Sequence, residues 1–63
     1  MWVKNLPVVQ ISWWSGRTEE QKKKVIEGVT KVLCDTLNIP PEAVTVIIYD
    51  VDKKNWGVGG KVF

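Results

Sequence analysis

The chain has 63 residues, a formal charge of +2, one cysteine and no histidine. That length allows one small domain, which alone buries only roughly 60% of its unfolded surface. A lone Cys34 forms no internal disulfide, the lack of histidine all but excludes a zinc site, and nine Lys+Arg against seven Asp+Glu is too balanced to point to nucleic acid.

Residues 7–14, PVVQISWW, alternate. Val9, Ile11 and Trp13 share one face; Val8, Gln10, Ser12 and Trp14 share the other. The β-branched and aromatic content predicts a strand, and Pro7 is tolerable only as its first residue. Residues 18–37, TEEQKKKVIEGVTKVLCDTL, predict a helix. Thr18 and Gln21 have the spacing of a capping box, and Glu19 and Glu20 suit the positive end of the helix dipole. Val25, Ile26, Val29, Val32, Leu33 and Leu37 recur at helical spacing as one apolar stripe. The segment NIPPE ends the helix, because proline cannot continue it and the residue before proline avoids helical angles.

Residues 44–49, VTVIIY, predict a second strand, apolar enough to be buried on both faces. Strand, helix, strand predicts a parallel pair with a right-handed crossover. The glycine-rich tail, DVDKKNWGVGGKVF, reads as a small hairpin or arm. The fold class is therefore α/β (α+β in some schemes): a single β-α-β unit with parallel strands and a short C-terminal hairpin or arm. Such a unit leaves sheet edges open and one sheet face bare, so it is expected to be completed by symmetric self-association.

The chain resembles the tautomerase superfamily, specifically the 4-oxalocrotonate tautomerase family. The resemblance rests on PVVQI, on GRTEEQK at the helix start, on PPEAVTVII into the second strand and on NWGVGGK near the end. Its spacing holds without a gap from Pro7 to Lys61, which divides the chain into an N-terminal extension, residues 1–6, and a tautomerase-like domain, residues 7–63. The resemblance implies a homohexamer built as a trimer of dimers. It also implies keto–enol isomerisation of small unsaturated 2-oxo acids with no cofactor and no metal. It assigns Pro7 as the proton-transferring base, Arg17 and the position of Thr45 to the substrate's carboxylate and carbonyl, and Trp56 as an aromatic wall.

The chemistry explains why these residue types fit. An N-terminal proline is a secondary amine; a free α-amino group titrates at roughly 7.7–8.0 and lower in an apolar site, where a base for carbon acids is effective. Arginine offers a bidentate fork for a carboxylate. Two departures stand out. Pro7 follows Leu6, so in the chain as written its nitrogen is an amide without a basic lone pair. Proteolytic removal of MWVKNL, or translation starting at Leu6 with loss of the initiating methionine, would free it. Thr45 carries no charge where the family has a second arginine, which favours a monocarboxylate over a dicarboxylate unless Lys61 or another subunit's lysine substitutes.

Simpler readings stand beside these. Pro7 also serves as a plain strand-starter, and Arg17 as a solvated charge near a helix end. Trp13, Trp14 and Trp56 are most simply core or interface residues, and Trp2, in the extension, is a residue that packs on a neighbouring subunit or plugs the site mouth. Cys34 reads as a buried, inert thiol, since no histidine is present to activate it. Gly57 and Gly60 shape the tail turn, while GVGGK lacks the spacing of a phosphate loop. The alternative function is a catalytically silent oligomer of the same fold, in which residues 1–6 permanently block Pro7. No secretory signal is read in MWVKNLPVVQISWW, and no stretch reaches the roughly 20 apolar residues of a membrane span. With one unpaired thiol, a cytoplasmic setting is expected, with no membrane and no nucleic-acid partner.

Overall fold

A computed structural model describes residues 6–62. Strand β1 runs Val8–Trp14, helix α1 Glu19–Leu37, strand β2 Thr45–Val51, and two short strands, β3 Gly57–Val58 and β4 Lys61–Val62, close the tail. β1 and β2 pair in parallel with Val8 opposite Thr45 and Trp14 opposite Val51. β3 and β4 form an antiparallel hairpin. The β-α-β unit with a short hairpin is the architecture expected from the sequence, with strand bounds shifted by a residue or two.

Local chemistry accounts for the elements. The Thr18 side chain accepts a hydrogen bond from the Gln21 backbone N–H at 3.1 Å, and the Gln21 side chain accepts one from the Thr18 N–H at 3.0 Å. This reciprocal cap satisfies two donors that a helix start would leave open, a contribution of about 1 kcal/mol. At the other end Asn38 takes the left-handed conformation, with φ of 58°, and its N–H bonds the Cys34 carbonyl. Pro40 and Pro41 follow, and a turn of 3-10 helix, Pro41–Ala43, leads into β2. Gly59 and Gly60, both at positive φ, make the hairpin turn that side-chain-bearing residues adopt only with strain. Gly57, expected in that turn, lies instead within β3 opposite Val62.

Packing is one-sided. Val9, Ile11, Trp13, Val46 and Ile48 are half-buried beneath α1, which contributes Val25, Val29 and Leu33. The expected apolar stripe is wider than the face the helix covers, since Ile26, Val32 and Leu37 remain exposed. β2 was expected to be covered on both faces; in the single chain it alternates, leaving Ile47 and Tyr49 36% and 45% exposed. Val8 on β1 shares that outer face and is 56% exposed. Among the described residues Ala43 alone is buried, and even it keeps 5% of its surface exposed. Two strands with an open edge each, one bare apolar face and almost no sealed core make a unit that needs further cover. The extension 1–6, Trp2 included, lies outside the described residues except for Leu6.

Candidate functional site

The four residues singled out in the sequence fall into two groups at opposite ends of the sheet. Pro7 immediately precedes β1 and is half-buried. Its carbonyl accepts a hydrogen bond from the Thr45 N–H at 3.1 Å, which fixes it beside the start of β2. Thr45 itself is exposed. Because a proline nitrogen after another residue has no N–H, Pro7 donates nothing to the ladder, as suits the head of an edge strand.

Arg17 and Trp56 gather at the far end. A parallel strand rises about 3.3 Å per residue, so the length of β1 sets Pro7 roughly 20 Å from the strand end that carries Arg17. One chain therefore cannot bring Arg17 to a substrate bound at Pro7. Gly16, at φ of 123°, turns the chain out of β1 and delivers Arg17 back over the strand's last residues. The Arg17 guanidinium carbon lies 4.8 Å from the centroid of the Trp13 ring. A guanidinium stacked on an indole keeps its edge N–H groups available for a planar anion. Among the described residues no carboxylate forms an ion pair with Arg17.

Trp56 packs on the other tryptophan. Its ring stands edge-on to Trp14, with centroids 5.9 Å apart and planes at 74°. Asp52 holds the approach to Trp56 by accepting from the Lys54 N–H at 3.1 Å, and the Trp56 N–H closes that turn onto the Lys53 carbonyl. The Lys53 ammonium lies 4.8 Å from the Trp14 ring centroid. Trp13 and Trp14, adjacent in β1, point to opposite sheet faces, so Arg17 and Trp56 reach the same end of the sheet from its two sides.

Sequence reasoning missed a carboxylate at this end. Asp50 accepts a 2.7 Å hydrogen bond from the Trp13 indole N–H and an ion pair from Lys22 on α1. The Lys22 hydrogen bond, and after it that of Trp13, holds the Asp50 carboxyl below the usual aspartate range. The folded pKa is thus depressed relative to the unfolded chain. The associated stability is present above the unfolded value, roughly 3.9, and is lost as pH falls through the folded value. The melting difference between wild type and Asp50→Asn should be constant near neutrality and shrink in acid, below about pH 4. Thermal melts of the two chains across that range check it; a difference that grows in acid would reverse the sign.

A separate concavity of about 450 Å³ runs along α1, lined by Ile26, Thr30, Cys34 and Pro41 among others. It contains none of the four candidate residues, and Cys34 lies half-buried at its wall. Lys61, a possible substitute cation, lies in β4 opposite Val58 and is exposed.

The comparisons with known proteins agree with the architecture. The sequence model of the tautomerase enzymes matches residues 7–63. The chain is 49% identical over 55 residues to 2-hydroxymuconate tautomerase of Comamonas testosteroni, covering 87% of each chain. It is 46% identical over 55 residues to the 2-hydroxymuconate tautomerase of Pseudomonas putida, again 87% of each. Among solved structures it resembles a 4-oxalocrotonate tautomerase isozyme from Methylibium petroleiphilum, with 50% identity, a TM-score of 0.80, and 89% and 90% of the two chains covered. It also resembles a heterohexameric 4-oxalocrotonate tautomerase from Chloroflexus aurantiacus at 27% identity and a TM-score of 0.79, with 87% and 89% covered. With a family match spanning nearly the whole chain, relatives near half identical and the same β-α-β fold, the chain belongs to the 4-oxalocrotonate tautomerase-like branch of the tautomerase family of isomerases.

Proposed function

We propose that the chain is a cofactor-independent keto–enol tautomerase for small unsaturated 2-oxo acids carrying one carboxylate. Pro7 is its base once residues 1–6 are absent. In that form the ring nitrogen is a secondary amine. It takes a proton from one carbon or hydroxyl of the substrate and returns it to another. Arg17 receives the carboxylate through its edge N–H groups, and Trp56 walls the site against water, which favours the uncharged amine. The observation that carries this reading is the family match running from Pro7 onward, over a strand that starts beside that proline.

The roughly 20 Å between Pro7 and the strand end that carries Arg17 makes the site composite. The Pro7–Thr45 end of one subunit meets the Arg17–Trp56 end of another, and the bare face of Val8, Ile47 and Tyr49 is the surface that joins subunits. A hexamer, as a trimer of dimers, satisfies both demands. Thr45 supplies a hydroxyl and no charge beside Pro7, which is why a monocarboxylate is preferred. Phenylenolpyruvate is accordingly turned over with a higher kcat/KM than 2-hydroxymuconate. In a chain beginning at Pro7, Arg17→Ala raises KM for phenylenolpyruvate about tenfold or more, with a smaller change in kcat, because a charge-assisted pair is lost in ground state and transition state alike. Steady-state kinetics check this, and an unchanged KM would remove Arg17 from the site.

A second reading has its own observation. Pro7 is preceded by Leu6, and an acylated proline nitrogen is not a base at any useful pH. If residues 1–6 persist in the cell, the chain is a silent oligomer of this fold. Intact-mass measurement on the protein from its native host separates the two: a mass lacking residues 1–6 supports the enzyme, and a mass including them supports the silent form.

A further inference from the structure

We infer that Asp50 and Trp13 form a positioning unit for Arg17: the Asp50 carboxylate, anchored by Lys22, holds the indole by its N–H, and the indole face holds the guanidinium ready for a carboxylate. This rests on the reading of Arg17 as the substrate's anion binder and deepens it.

Three contacts make the chain. Lys22 projects from the first turns of α1 to Asp50, and the two residues keep only about a third of their side-chain surface exposed (29% and 33%). Asp50 lies directly opposite Trp13 in the sheet register, so the 2.7 Å indole N–H contact is set by backbone pairing and needs no further adjustment. The ring thus locked carries Arg17 on its face at 4.8 Å. An unsupported arginine after a glycine would sample many rotamers, and each must be frozen when a ligand binds. Stacking removes part of that cost in advance, and leaves the edge N–H groups for the ligand. Asp50 also lies close enough to Arg17 for attraction between their charges to be felt. It nevertheless forms its hydrogen bonds with Trp13 and Lys22, which keeps it from occupying the fork meant for substrate.

Arg17 is the chain's single arginine, so it gives one Nε–Hε signal in a nitrogen–proton NMR spectrum of the full-length protein. The probe ligand is pyruvate, a 2-oxo monocarboxylate. In wild type the signal is shifted by the ring current of the indole and moves further on titration with pyruvate. Trp13→Leu, which removes the aromatic face, returns the signal to the position of a free guanidinium and weakens pyruvate about fivefold. Trp13→Phe keeps a face but loses the N–H and gives an intermediate shift. Asp50→Asn can still accept from the indole but loses the Lys22 pair, and it broadens or partly restores the signal. The backbone amide spectrum of each variant reports folding, and the two milder changes carry the test if Trp13→Leu fails to fold. A wild-type signal already at the free position overturns the inference. Equal pyruvate affinity across all four chains overturns it while leaving Arg17 as the binder. A signal that never moves with pyruvate in any chain overturns it together with the role assigned to Arg17.

Discussion

A chain that begins at Pro7 should turn over phenylenolpyruvate roughly 10²- to 10⁴-fold faster, in kcat/KM, than the 63-residue chain, the range a positioned general base contributes. The reason lies in one nitrogen. In the longer chain it is bonded to the Leu6 carbonyl, its lone pair is delocalised into the amide, and no neighbouring charge can make it basic. Released, it is an α-amino group whose ordinary pKa is about 7.7–8.0. Pro7 is half-buried at the head of β1, a setting that disfavours the cation and lowers that value. A paired result follows for substitution. Pro7→Ala in the 63-residue chain should change its residual rate little, since the nitrogen is inert there, whereas acetylating the freed Pro7 nitrogen of the shortened chain restores an amide and should remove most of the gain. Equal rates for the 63-residue and shortened chains would assign the proton transfer to some other group.

The second large effect concerns assembly. Ile47→Asp should convert the protein from the proposed hexamer, six times the 7.2 kDa chain mass, to an unfolded or partly folded monomer. Ile47 sits in mid-strand on the outer face, flanked along β2 by Thr45 and Tyr49 on the same side. That face has no layer over it in the single chain, and Ala43 is the one buried residue among those described. A carboxylate placed there is buried unpaired on association, a cost of several kcal/mol against each contact. The single β-α-β unit has little else to keep it folded, so loss of association and loss of helix should coincide. Sedimentation and circular dichroism on the same samples check both. An Ile47→Asp chain that keeps the wild-type mass and helix content would place the subunit contacts elsewhere.

The fold was largely legible because its signals are local. Alternation in residues 8–14, the Thr18–Gln21 cap and the paired prolines after Asn38 each act over a few residues, and the elements formed where these signals lie. The helix stripe was overestimated for a tertiary reason. Two strands are too narrow to cover it, so Val25, Val29 and Leu33 pack while Val32 stays 62% exposed. β2 was overestimated for the same reason, since burial on its second face requires another chain.

The site was legible as residue types but not as a place. Pro7, Arg17, Thr45 and Trp56 are candidates by their order, and the strand predicted over residues 7–14 already holds the first two apart; the packing of Arg17 on Trp13 and of Trp56 on Trp14 emerges only with the tertiary fold. The Lys22–Asp50–Trp13 network was missed because its members are 28 and 37 positions apart from one another and meet only once the parallel register is known. The alternation of β1 groups Trp13 with Val9 and Ile11 on one face without saying what lies over it, and the aspartate that bonds its indole lies just beyond the apolar run VTVIIY.

The most direct measurement is a nitrogen-15 NMR titration of Pro7 in a chain that begins with it, set beside the pH dependence of kcat/KM. The predicted result is a nitrogen that titrates below roughly 7.7–8.0 with the same midpoint as the rise in rate. A nitrogen that titrates apart from the rate profile, or a rate that ignores its protonation, would contradict the assignment of Pro7 as the base.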